Sequence, residues 1–300
     1  MDIEVKHDIE LKEVSYFKIG GKAKNLYYPK NIDEFVYLLS NLEKPLVFGG
    51  FSNVLFSSSG IREDLICTQK MNEYKIEKTH VKVSAGVRGA VISRACMENS
   101  LTGFEFMSGF PGSIGGNIYM NASAHKQCIS DHLCLVKVFD TETKQILELT
   151  KDELGFDYRT SILQTKPYIL LEAEFELSEG NKEEIQNTII QNREFRKVHQ
   201  PQALPNVGSI FRNPTGDSAG RMLDEIGAKT LSVGSARVFE NHANFIINTD
   251  NATSTDVLEL MLIMQNKVKE KFNVKLRPEV KYFGEMTDRE KEICTILFQK

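Results

Sequence analysis

A chain of 300 residues that is 41% hydrophobic and 26% charged has the make-up of an ordinary globular protein, long enough for two domains at roughly 100–200 residues each. The formal net charge of −4, with no long basic run, excludes an electrostatic case for nucleic-acid binding, so any anionic ligand must be held by local features. The opening MDIEVKHDIELKEV is charged throughout and lacks the apolar h-region of a signal peptide, and no stretch approaches the roughly 18 apolar residues of a membrane span.

In chain order, NIDEFVYLLSNL has Asn31 followed three residues later by Glu34, the spacing of a capping box, and then apolar residues at helical intervals. LVFGGFSNVLF reads as a buried strand, a tight loop at Gly49–Gly50 and a second strand. HVKVSAGV alternates like a half-buried strand, and GAVISRACMENSL has the pattern of a short helix. The stretch from Gly103 to Gly116 then holds five of the 20 glycines in fourteen positions, with no Asp, Glu, Lys or Arg between Ser108 and Lys126. Such a run suits either a tight buried turn or a cradle of backbone N–H groups for an anion. LCLVKVFDTETKQILEL predicts two strands joined by a polar turn, and YILLEAEFEL predicts another strand.

Composition changes near Gly180. Residues 181–198 predict a polar amphipathic helix, and STDVLELMLIMQNKVKEKF a longer one capped by Ser254 or Thr255. The expected division is a strand-rich domain over 1–180, in two subdomains of roughly 1–75 and 76–180, a second domain over 181–285, and a tail over 286–300 of helical composition. Five cysteines (Cys67, Cys96, Cys128, Cys134 and Cys294), odd in number and without a C-x-x-C pair, fit a reduced cytoplasmic setting. Cys128 and Cys134 with His125 and His132 match no common zinc spacing, so no metal is expected.

Two glycine loops, FGGFSN at 48–53 and SGFPGSIGGN at 108–117, are the first candidates for ligand binding. Neither is a G-x-G-x-x-G fingerprint in a βαβ unit, but two loops converging on one pyrophosphate explain both. The predicted ligand-contacting residues are Gly49, Gly50, Phe51, Ser52 and Asn53, with Ser108, Gly109, Pro111, Gly112, Ser113, Gly115, Gly116 and Asn117. In LPNVGSIFRNP, Ser209 follows a glycine without the G-x-S-x-G of a hydrolase elbow. Arg159 lies in DYRTS and Glu279 follows a proline in LRPEV. Taken singly, these read as a turn hydroxyl, a surface cation and a solvated carboxylate. Together they are able to handle a carboxylate-bearing substrate: a guanidinium fork, a proton donor and an acid.

The blocks YFKIGGKA, FGGFSNVL, GFPGSIGGNIYMNASAH, DYRTSIL, QPQALPNVGSIFRNP, AGRMLDEIGAK, HANFIIN and LRPEV stand in one order, and from about Tyr16 to Gly284 the chain resembles the UDP-N-acetylenolpyruvoylglucosamine reductases. The resemblance implies an α+β fold: a two-subdomain FAD-binding domain of the PCMH/vanillyl-alcohol-oxidase type, then an α/β substrate-binding domain. It implies noncovalent FAD across both glycine loops, NADPH as co-substrate, and UDP-N-acetylglucosamine enolpyruvate as substrate in peptidoglycan precursor synthesis. By motif position it makes Arg159, Ser209 and Glu279 catalytic and Asn213 substrate-binding, with Arg196, Lys197 and Arg221 as cations for the substrate diphosphate. The short Arg159–Ser209 interval resembles the form of the family that lacks an inserted tyrosine loop. Three departures stand out: Phe51 where a third glycine is usual, His199 where a lysine or serine is usual, and His125–Lys126 in place of a small-residue ending. Another flavin oxidase would be expected to show a histidine at the first loop, and a catalytically silent nucleotide-binding protein would not need the Arg–Ser–Glu set.

Overall fold

The spacing of Asn31 and Glu34 predicts a helix start, and in the computed structural model the helix Ile32–Asn41 begins there. The Asn31 side chain accepts the Glu34 N–H at 2.9 Å. The Glu34 carboxylate reaches one residue further out than a standard box and accepts the Lys30 N–H at 2.8 Å. The structure describes residues 2–201 and 203–299; Gln202, within the block before Ser209, and the two terminal residues Met1 and Lys300 lie outside the described residues.

The chain divides into two units, each discontinuous: Met1–Lys6, Asn25–Gly50 and Glu63–Arg196 in the first, His7–Lys24, Phe51–Arg62 and Lys197–Lys300 in the second. The two units interleave along the chain, and the composition change near Gly180 falls within a segment of the first. The helix Lys182–His199 stays with the first unit as far as Arg196, and two early segments belong to the second.

In the first unit, Leu65–Cys67 is a central strand paired in parallel with Leu46–Phe48 on one side and with Leu26 and Tyr27 on the other. Parallel pairing requires a crossover, which the helix Ile32–Asn41 provides, burying Phe35, Leu38 and Leu39 with Ile66, Met71, Phe139 and Leu171. The second layer is an antiparallel five-stranded sheet ordered Ile146–Thr150, Leu133–Asp140, Tyr168–Glu176, His80–Ser84, Tyr74–Glu77. Its inward residues, among them Val81, Val83, Val136, Val138, Ala173 and Phe175, alternate along their strands and close on the helix Gly89–Glu98 through Ile92 and Cys96.

The second unit holds an antiparallel sheet ordered Asn206–Ser209, Phe245–Asn248, Ala236–Val238, Ser232–Val233, and a parallel pair of Val54–Phe56 with Lys281–Phe283. Phe17, Ile19 and Leu55 join the core under the helix Ser254–Phe272, and the Asn248 side-chain amide donates to the Phe17 and Lys18 carbonyls at 3.1 and 3.2 Å. That helix is capped by Thr253 and Asp256 in a capping box, which corrects the expectation of Ser254 or Thr255. Ser254 is already helical, and its hydroxyl donates instead to Glu290 at 2.6 Å. Glu290 belongs to the tail helix Asp288–Phe298, which puts Ile293 and Leu297 into this core, so the tail is part of the second unit.

The Glu290 side chain is 1% exposed and also accepts from Thr255 and from both the N–H and the hydroxyl of Thr287. Burial alone would raise its pKa, but the hydrogen bonds from Ser254, Thr287 and Thr255 outweigh it and hold the carboxyl below its ordinary 4.5. A depressed folded pKa gives stability that is present above the unfolded value and is lost as pH falls through the folded one. Glu290→Gln is therefore expected to cost about 1–3 kcal/mol at neutral pH. In melting curves across pH, the gap between wild type and variant should close below the ordinary carboxylate range.

Candidate active site

In the first unit the second glycine loop is fastened to the end of the strand His80–Ser84. Gly89 N–H donates to the Gly112 carbonyl at 3.0 Å, Ile114 N–H to Val87 at 2.8 Å and Gly115 N–H to Ala85 at 2.8 Å. Ser113 caps the short helix Ile114–Tyr119 by accepting the Gly116 N–H at 3.3 Å. The first loop comes against it at backbone distance. A Cβ on Gly49 would lie 2.0 Å from the Ser113 hydroxyl oxygen, and one on Gly50 would lie 3.0 Å from the Pro111 carbonyl. Some of the glycine clustering is thus required by the loops' approach to each other, before any ligand is considered. The Cys67 thiol, pushed up to about 12 by burial, is held there as a donor to the Gly49 carbonyl at 3.3 Å.

These residues fit a flavin nucleotide. The Ser108 hydroxyl is buried and has no hydrogen-bond partner among the described residues, so a polar atom of the second loop is left over for a ligand. Arg196, expected at the substrate diphosphate, lies along this loop, its guanidinium 5.0 Å from the Phe110 ring centroid. A Cβ on Gly109 would be 2.7 Å from its Cδ. Burial pulls the Arg196 pKa down to about 10, and its Nε has no partner among the described residues. A desolvated cation beside an unpartnered hydroxyl is a place for an anionic cofactor group.

The Arg159 turn is strapped to the end of the same loop. Ser161 Oγ and Gln164 Nε2 both donate to the Tyr119 carbonyl, at 2.9 and 2.8 Å, and Asn121 Nδ2 donates to Asp157 at 3.1 Å. The Arg159 Nη1 donates to Ser123 Oγ at 2.8 Å, and the backbone sits at φ 56°, a left-handed conformation that costs a non-glycine residue about 1–2 kcal/mol. Such strain is kept where the surroundings fix a working side chain. His125 and Lys126 are the two central residues of a hairpin turn between Ser123–Ala124 and Gln127–Cys128, at φ 52° and 66°. Both central positions left-handed is the type I′ geometry that small residues favour, which explains why this departure is strained.

In the second unit three blocks are laced together around Ser209 and Glu279. Ser209 pairs with Phe245, Ile210 N–H donates to Asn244 at 2.9 Å, and Glu279 N–H donates to the Ile210 carbonyl at 2.7 Å. Asn53, the last residue of the first glycine loop, donates from Nδ2 to the Glu279 carbonyl at 3.3 Å, and its carbonyl accepts the Lys281 N–H at 3.1 Å. Phe51, also in this unit, is left-handed at φ 55° where a glycine would be relaxed, but its ring is 2% exposed and meets Phe56 edge-on at 5.6 Å. Burial of the ring offsets the backbone strain.

The sequence reading missed Ser123 and Gln164, which bond Arg159, and two cations, Arg212 and Lys281, on the paired segments that carry Ser209 and Glu279. Arg212 stands inside the block around Ser209 and Lys281 two residues after Glu279, so proximity to those blocks was the available signal. Asn213 Oδ1 accepts the Ala219 N–H at 3.0 Å, at the start of the helix Ala219–Glu225. Arg221 is ion-paired to Asp217 and Glu225, which already match its charge, and Lys197 is exposed. Ser209, Glu279, Asn53 and Asn213 belong to the second unit, and Arg159, Arg196 and most of the glycine-loop residues to the first.

Comparison with known proteins covers both halves. Residues 24–150 match an FAD binding domain family, and residues 200–283 match the C-terminal domain of UDP-N-acetylenolpyruvoylglucosamine reductase. The reductase of Caldanaerobacter subterraneus subsp. tengcongensis is 40% identical, over 92% of each chain. A second, UDP-N-acetylenolpyruvoylglucosamine reductase 1 of Bacillus thuringiensis, is also 40% identical, over 92% of this chain and 94% of its own. The crystal structure of the reductase from Thermus caldophilus superposes with a TM-score of 0.81 at 30% identity, over 94% of this chain and 99% of that one. With the flavin loops matched in one half, the Ser209 and Glu279 blocks in the other, and relatives at 40% identity over more than nine-tenths of the chain, the chain belongs to the UDP-N-acetylenolpyruvoylglucosamine reductases, FAD-dependent oxidoreductases of peptidoglycan synthesis.

Proposed function

We propose that this protein uses NADPH to reduce UDP-N-acetylglucosamine enolpyruvate to UDP-N-acetylmuramate in the cytoplasm, with Arg159, Ser209 and Glu279 as its catalytic residues. Noncovalent FAD, held by Gly49–Asn53 and Ser108–Asn117, supplies when bound the hydride that C3 of the enolpyruvyl group receives. As C3 becomes a methyl group, negative charge grows at C2 and spreads into the adjoining carboxylate. The Arg159 fork and Glu279 in its protonated form stabilise that charge by hydrogen bonding. Ser209 gives its hydroxyl proton to C2 and is reprotonated from solvent. A serine is a weak acid, so this transfer suits only a strongly basic carbon, which the developing charge at C2 provides.

The observation that carries this reading is the hydrogen-bonded set of the second unit: Ser209 next to Ile210, Ile210 bonded to Glu279, and Glu279 bonded to Asn53 of the flavin loop. Asn213 and Lys197 are the better candidates for the sugar nucleotide. Arg196 is better placed for the cofactor, and Arg221 is already neutralised. Proton NMR of a reaction with NADPH and the enolpyruvyl nucleotide tests the reading. The vinyl signals should give way to a lactyl methyl doublet; consumption of NADPH with the vinyl signals intact would rule it out.

A further inference from the structure

Arg212 is a cation for which neither the fold nor the catalytic set gives a use. Its Nε is shut off from solvent and has no hydrogen-bond partner among the described residues, a costly state for a charged donor. Its place is fixed by the backbone: Arg212 N–H donates to Arg277 at 2.9 Å, Phe211 bridges to Pro278, and Glu279 N–H donates to Ile210 at 2.7 Å. Lys281 is close enough that burial and then the Arg212 charge push its ammonium pKa down.

We propose that Arg212, with Lys281 beside it, binds the carboxylate of the substrate and so selects enolpyruvyl- and lactyl-bearing sugar nucleotides over the plain one. The inference rests on the reaction proposed above. The diphosphate is the other anion on offer, but it is separated from C2 by the sugar ring. The carboxylate is bonded directly to C2, the atom that Ser209 protonates, and Arg212 follows Ser209 by three residues on the segment paired to Glu279. A guanidinium fork binds carboxylates and phosphates alike, so it is the position of Arg212 near Ser209 along the chain that favours the carboxylate.

Isothermal titration of the FAD-loaded enzyme with UDP-N-acetylmuramate, which has the carboxylate, and UDP-N-acetylglucosamine, which lacks it, tests this. Arg212→Met should weaken the first by about tenfold or more and change the second by less than about twofold. Arg212→Lys, which keeps the charge and loses the fork, should fall between, and an unchanged flavin spectrum shows that each variant is folded around its cofactor. Equal weakening of both nucleotides, or of neither, overturns the inference while leaving the proposed reaction standing. A wild-type enzyme that binds UDP-N-acetylmuramate no more tightly than UDP-N-acetylglucosamine overturns this inference, whereas vinyl signals left intact with NADPH and the enolpyruvyl nucleotide overturn the proposed reaction.

Discussion

Ser209→Ala is expected to leave reduction of the enzyme by NADPH near the wild-type rate and to slow its reoxidation by the enolpyruvyl nucleotide by about 10²–10⁴-fold, the usual contribution of a positioned general acid. The substitution removes one oxygen from a half-buried residue whose backbone pairing with Phe245 is untouched. Gly208, at φ 79° with open space where a Cβ would stand, still sets the register irregularity within the strand Asn206–Ser209. A loss confined to the second half-reaction therefore reports the hydroxyl itself. Stopped-flow absorbance of the two half-reactions separates them, and equal slowing of both would remove Ser209 from the role of proton donor.

Gly49→Ala is expected to strip the enzyme of flavin without touching any catalytic side chain. The added methyl would lie 2.0 Å from the Ser113 hydroxyl oxygen and 3.0 Å from the Ser113 Cβ, so rotating the hydroxyl away does not fully relieve it. Ser113 is 2% exposed, and moving it also gives up the cap on Gly116. Overpacking of this kind costs about 1–3 kcal/mol, which at the cofactor loops reads as tenfold or more in FAD affinity. Flavin retained per protein after gel filtration, and the affinity on adding FAD back, check this. An alanine variant that holds FAD like the wild type would show that the loops have more room than their approach implies.

Much of the local structure is legible from the residues. Asn31 with Glu34 announces a helix, and the alternation in HVKVSAGV and YILLEAEFEL announces strands, because caps and pleats act over a few residues. The cap of the helix Ser254–Phe272 was misplaced because three hydroxyl residues in a row offer the same chemistry, and only Glu290, far along the chain, decides which of them is left to cap. The division near Gly180 followed composition, whereas the units are set by long-range contacts such as Asn248 to Phe17 that leave no local mark. The ordered blocks single out Arg159, Ser209 and Glu279 as the proposed catalytic residues, but not that Arg159 is held left-handed in a turn tied to the second glycine loop. Of the four unusual residues, Phe51, His125 and Lys126 fall on left-handed positions and His199 does not, a difference no pattern of hydrophobicity encodes.

The central claim, that this chain passes electrons from NADPH to an enolpyruvyl sugar nucleotide through FAD, is tested most directly by one anaerobic absorbance trace of the purified, FAD-loaded protein. NADPH should bleach the flavin bands, and UDP-N-acetylglucosamine enolpyruvate added next should restore them. Bands that bleach and do not return would contradict the assigned acceptor, and a protein that shows no flavin bands after incubation with FAD would contradict the reading of both glycine loops.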